Sequence, residues 1–142
     1  MPRDMLSEDT KFTSLSVAIS AGTTAVLGSS VDMTGFDGVQ FFAIFGTGAT
    51  DNTMNAAQST DDATFVDLEG TEVAATTATP AVTVDIIRTQ ARYARPEVTR
   101  GTSSTLDALF ALQYRGRVND ATITEAGRII GERHISPSTG TK

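Results

Sequence analysis

The sequence predicts an all-β sandwich or barrel. Short runs rich in β-branched or aromatic residues recur at spacings of about 8–15 residues, the rhythm of an antiparallel β domain. Turn signals punctuate them, among them Gly28-Ser29-Ser30, Gly35-Phe36-Asp37-Gly38, Asp61-Asp62, Glu69-Gly70 and Gly101. Thr and Ala dominate the composition, and Thr suits a pleated surface while Ala is indifferent to it. No long stretch of residues 12–117 carries a helical period.

Taken in order, strands are expected near 12–19 (FTSLSVAI), 23–27, 30–33, 38–46 (GVQFFAIFG), 54–60 and 64–68. Three more follow near 81–88 (AVTVDIIR), 91–99 and 105–115 (TLDALFALQYR), with VAATTATPA (73–81) read as a flexible loop before them. Strict alternation divides 105–115 into two sets: Leu106, Ala108, Phe110, Leu112 and Tyr114, then Asp107, Leu109, Ala111, Gln113 and Arg115. The first set is expected to face the core. In GVQFFAIFG both sets are apolar, which suits a central strand or one whose outer face meets a partner.

The chain therefore divides into an N-terminal segment (1–11), a β domain (12–117) and a C-terminal arm (118–142). In the arm, Thr122-x-x-Glu125 matches a capping box, and Ile123, Ala126 and Ile130 would share a helical face. Gly127 and Gly131 weaken such a helix by roughly 1 kcal/mol each, so a short helix or an extended arm is expected.

A length of 142 residues fits one domain with a sizeable core, and 39% apolar content is ordinary for a globular chain. There is no cysteine, hence no disulfide and no thiolate metal site. MPRDMLSEDTK lacks an apolar region behind a basic one, and VQFFAIF is about a third of a membrane span. The expectation is a protein without secretory leader or membrane segment. Charge is lopsided: residues 1–72 hold eleven acids against Arg3 and Lys11, net −9, and residues 73–142 hold six acids against nine bases, net +3, together the −6 of the chain. Faces of opposite sign, and docking through them, are one implication; two solvated halves are the other.

Catalysis lacks its parts. The one histidine, His134, sits near the tail, and no HExxH, Walker or dinucleotide-binding motif is present. No cofactor is expected. Asp61-Asp62, with Asp67 and Glu69, offers oxygen ligands suited to Ca²⁺ but lacks EF-hand spacing.

The stretch RTQARYARPEVTR (88–100) concentrates Arg88, Arg92, Arg95 and Arg100 around Tyr93 and Pro96. On a strand, Arg92 would point with Ala94 and Pro96, while Tyr93 and Arg95 would point with Glu97. Basic groups split between two faces of an acidic domain do not suit nucleic acid, so no direct nucleic-acid partner is expected. Arg and Tyr do suit a protein interface, where a planar guanidinium pairs with carboxylates and a phenol supplies area with a polar tip. Pairing with acids inside the domain is the alternative.

The order ISAGTTAVLGSSVDMTGFDGVQFFAIFG, AAQSTDDATFVDLEGT, DIIRTQARYARPEVTRGTSSTLDALFALQYRGR and HISPSTGTK resembles capsid cement and decoration proteins of tailed bacteriophages. The likeness covers roughly residues 15–140 and consists of packing and turn patterns. It implies a jelly-roll-like antiparallel β-sandwich with a C-terminal arm. It implies a structural role on the outside of the capsid, bridging major capsid protein subunits as a homodimer or homotrimer, in a protein made in the bacterial host cytoplasm. The contact residues proposed from the chemistry of this chain are Arg92, Tyr93, Arg95, Ile129, Ile130 and His134. A carbohydrate- or receptor-binding module displayed on a virion is the competing reading; it would use Phe36, Tyr114 and the Asp61–Asp62 loop.

Overall fold

The computed structural model describes residues 9–46, 51–101 and 103–115. They form strands only, arranged as two antiparallel sheets packed face to face, a β-sandwich.

The first sheet contains β1 (Lys11–Ser16), β11 (Ser104–Tyr114), β5 (Gly38–Phe45) and β9 (Ala81–Ile87) in that spatial order, with β2 (Ile19–Gly22) continuing alongside β11. The second runs β3 (Val26–Leu27), β10 (Tyr93–Thr99), β6 (Asn52–Ser59) and β7 (Val66–Asp67). There β4 (Val31–Asp32) also pairs with β10, and β8 (Val73–Ala75) with β6. Treating β1/β2, β3/β4 and β7/β8 as single broken strands leaves eight positions, and the chain crosses between sheets as a jelly roll does.

The core lies between the sheets. Val39, Phe41, Ala43 and Phe45 of β5 are buried by alternation, and Met54, Ala56, Ala94 and Val98 meet them from the opposite sheet. β5 is central, between β11 and β9, as its two apolar sets suggested.

Three expectations change. FTSLSVAI breaks after Ser16, so the region predicted as one strand is two, β1 and β2. The segment read as a loop supplies a strand, because Val73–Ala75 pairs with Asn52–Met54. The face of β11 also reverses. Its register shifts between Leu106 and Ala108, with exposed Asp107 as the additional residue. Beyond this bulge the buried residues are Leu109, Ala111 and Gln113. Ala108, Phe110, Leu112 and Tyr114 turn to the outside. Gln113 is accommodated inside because its amide donates to the Asp32 carbonyl at 2.7 Å, tying β11 to β4.

Candidate functional site

The arginine stretch resolves into four different environments. Tyr93, Arg95 and Glu97 lie half-buried on the outer face of β10, while Ala94, Pro96 and Val98 are buried beneath. The predicted grouping of Arg92 with the inward set does not hold. Arg92 precedes the first residue of β10, sits in a bend and projects outward, so strand alternation does not govern it. Its Nε lies 3.2 Å from both Asp32 carboxylate oxygens and its Nη2 2.8 Å from Oδ2. This guanidinium, with the Thr34 amide, holds the Asp32 carboxyl well below the usual carboxylate range. Its Cζ also lies 5.1 Å from the centre of the Tyr93 ring.

Arg95 pairs with Glu97 two residues along the same face: Nε and Nη2 reach Oε1 at 3.0 and 2.6 Å. Its guanidinium also stacks 4.0 Å from the centre of the Phe65 ring. Arg100 is different again. Only 7% exposed, it donates to the carbonyls of Thr24, Ser20 and Ser104 at 2.7, 2.8 and 3.0 Å. It is a structural clamp that ties β2 and the β2–β3 connection to the start of β11. Arg88 stays exposed, and among the described residues its guanidinium makes no ion pair. Within the domain, then, pairing accounts for Arg92 and Arg95, which stay partly exposed on either side of half-buried Tyr93 as a polar strip. Ile129, Ile130 and His134 lie outside the described residues.

The opposite side of the sandwich carries a feature that sequence reasoning missed. Phe12, Phe110 and Phe42 form a ladder across β1, β11 and β5 on the outer face of the first sheet. The Phe12 and Phe110 ring centres are 4.8 Å apart, and those of Phe42 and Phe110 are 5.0 Å apart. Such pairs contribute about 0.5–1.5 kcal/mol each beyond the area they bury. Half-buried Ala108 and Leu112 flank them, and Ile44 and Ile87 remain 37% and 48% exposed. The signal was present in the doubly apolar GVQFFAIFG, but strict alternation in β11 had assigned Phe110 to the core.

Tyr114 closes one end of this face. Its ring covers Gly38, where a Cβ would collide with it, and its hydroxyl donates to Asp85 Oδ1 at 2.6 Å. Burial, then the Asp85 bond, push its pKa up to about 12. A folded-state value above the unfolded 10.0 means that this contribution to stability is present below pH 10 and is lost as pH rises towards 12. In a Tyr93→Phe variant, which leaves Tyr114 as the one phenol, the phenolate absorbance is expected to titrate near 12. Asp85→Asn should move that midpoint down. A midpoint at 10 in the first variant, with the fold intact, would show that the ring is solvated.

The loop acids are occupied in turn closure. Asp61 accepts from the Ser59 hydroxyl and from the Ala63 and Thr64 amides at 2.8, 3.0 and 2.9 Å, and these amides lower its pKa to about 2. Asp62 accepts from the Ser30 hydroxyl. Among the described residues no three acidic or histidine side chains gather as a metal site requires. Phe36, the other aromatic weighed for glycan stacking, packs against the core.

No protein-family model matches the chain, and comparison with curated proteins finds no match either.

Proposed function

We infer that the chain is a structural, non-catalytic protein of a bacteriophage virion, which binds the outside of the capsid and bridges neighbouring major capsid protein subunits. The observation that carries the reading is the aromatic ladder on the outer face of the first sheet. A solvent-facing sheet normally alternates apolar inside with polar outside. Here the outer faces of β5 and β11 carry Phe42, Ile44, Phe110 and Leu112, with Gln40 and Tyr114 as their polar members, and Ile44 and Ile87 are left open towards opposite ends of that sheet. The resemblance to cement and decoration proteins supplies the partner. The Arg92–Tyr93–Arg95 strip, on the other sheet, offers a second and polar contact, through which one copy can engage a capsid subunit and another copy of itself. Two separate faces make a bridge, and modest contacts repeated over a closed shell become durable through avidity.

Co-sedimentation with expanded, undecorated capsids tests this directly. Stoichiometric binding and a higher rupture temperature of the shell are expected. An Ile44→Asp/Ile87→Asp variant, altered only at exposed positions, should bind at least tenfold more weakly, a loss of about 1.4 kcal/mol. Full occupancy by that variant would remove the ladder face from the interface, and absence of binding by the unaltered protein would sink the capsid reading.

A further inference from the structure

At one end of the sandwich, two connections that cross between the sheets frame a pocket of about 500 Å³. One wall is the β4–β5 connection, with Met33 and Phe36; the other is the β9–β10 connection, with Arg88, Thr89 and Ala91. The walls are fastened to each other. The Met33 amide donates to the Arg92 carbonyl and the Arg88 amide to the Asp37 carbonyl, both at 2.7 Å. The Asp37 amide donates in turn to the Tyr114 carbonyl. The cavity is therefore pre-formed.

Three observations single out Arg88 within it. Its backbone is left-handed, with φ of 58°, a conformation that a long side chain adopts only when its surroundings enforce it. Gly or Asn would make the same turn with less strain, so the turn alone does not explain an arginine. Its guanidinium has no ion pair or hydrogen bond among the described residues, unlike those of Arg92, Arg95 and Arg100. Arg92, which also lines the pocket, is paired: Asp32 accepts from it and from the Thr34 amide. Asp37, the acid of the lining, has an interaction of its own.

We propose that this pocket binds a single carboxylate carried beside an apolar group, with Arg88 as the carboxylate-binding residue. The guanidinium fork matches a carboxylate, and half-buried Phe36 and Ala91 receive the neighbouring apolar group. A phosphate fits less well, because a dianion would face one unpaired arginine with Asp37 in the same lining. The site goes beyond the capsid reading: it lies at the end of the sandwich, and Arg92 is the one residue it shares with the polar strip.

The test is an NMR titration of the ¹⁵N-labelled full chain with acetyl-Leu-Glu-Leu-amide, its Leu-Gln-Leu counterpart and sodium acetate. The Glu peptide is expected to shift the amides of Phe36, Arg88 and Thr89 saturably, at least tenfold more tightly than the other two. Equal binding of the Gln peptide would overturn the carboxylate assignment. Equal binding of acetate would show that the apolar lining contributes nothing and would overturn that half of the proposal. No saturable shift at those amides with the Glu peptide overturns the proposal altogether. Arg88→Asn separates binding from folding. Asn accepts the left-handed turn, so the melting temperature should stay within about 2 °C or rise, while the Glu peptide loses at least tenfold in affinity. Retained affinity in that variant would also overturn the role given to Arg88. Capsid co-sedimentation is unaffected by these outcomes, so failure here and failure of the capsid reading are distinguishable.

Discussion

Replacing Arg100 with Met is expected to lower the free energy of unfolding by about 3 kcal/mol. The side chain is buried and no carboxylate among the described residues pairs with it. The dipoles of three backbone carbonyls offset its desolvation instead. Met fills similar volume, so the loss isolates the hydrogen bonds: three carbonyls in a closed corner would lose their donor together. Each unsatisfied buried group costs roughly 1–3 kcal/mol, and partial access of water at the corner reduces the sum. Arg100→Lys should recover less than half of the deficit. An ammonium is a point donor, whereas Nε and Nη1 of the guanidinium reach carbonyls of Ser20, Thr24 and Ser104 on separate segments. Chemical denaturation of the three proteins measures this. A loss below about 0.5 kcal/mol for Met would mean that the carbonyls find other donors.

Gly28→Ala is expected to destabilise the fold by about 2 kcal/mol, although it adds one methyl group. Gly28 is buried, and a Cβ there would lie 2.7 and 2.9 Å from Cγ and Cδ of Pro96 and 3.1 Å from Cδ2 of Leu109. A flexible side chain would swing aside. Pro96 cannot, because its ring is fixed to the backbone of β10 and is itself fully buried. Its carbonyl also accepts from the Gly28 amide at 3.0 Å, so relief of the clash by backbone movement stretches a hydrogen bond between the sheet and the β3–β4 connection. A Pro96→Ala change in the same background should recover part of the loss, since it removes the atoms that collide. Additive losses in the double variant would show that the contact is not the cause.

Much of the sandwich was legible in the sequence because local preference and tertiary placement agree. β5, β9, β10 and β11 fall within a residue or two of the runs that predicted them. β8 escaped notice because three residues inside a Thr- and Ala-rich run carry almost no periodicity; its pairing with β6 makes it a strand. The bulge in β11 hid for another reason. One additional residue inverts every side chain beyond it, and Asp107 fits either phase of the alternation. That single displacement concealed both the inward Gln113 and the outward Phe110. The arginines were legible as a cluster but not as individuals. Their roles depend on Asp32, Phe65, Ser20 and Thr24, which are distant in the chain and reach the cluster only through sheet crossing.

Among the described residues, the pairing of the first strand with the last fixes how the domain responds to mechanical load. β1 and β11 are antiparallel, with Lys11 opposite Gln113, so the chain enters and leaves the sandwich side by side at one end. Tension applied through the two flanking segments would pull these strands apart from that end and open their ladder one rung after another. Peeling of this kind yields at low force, because each hydrogen bond bears the load alone. Tension borne across the broad faces meets β11 and β5 through many contacts at once. A tether is therefore durable when it grips the flat of the sandwich, and weak when it hangs from the two ends of the chain.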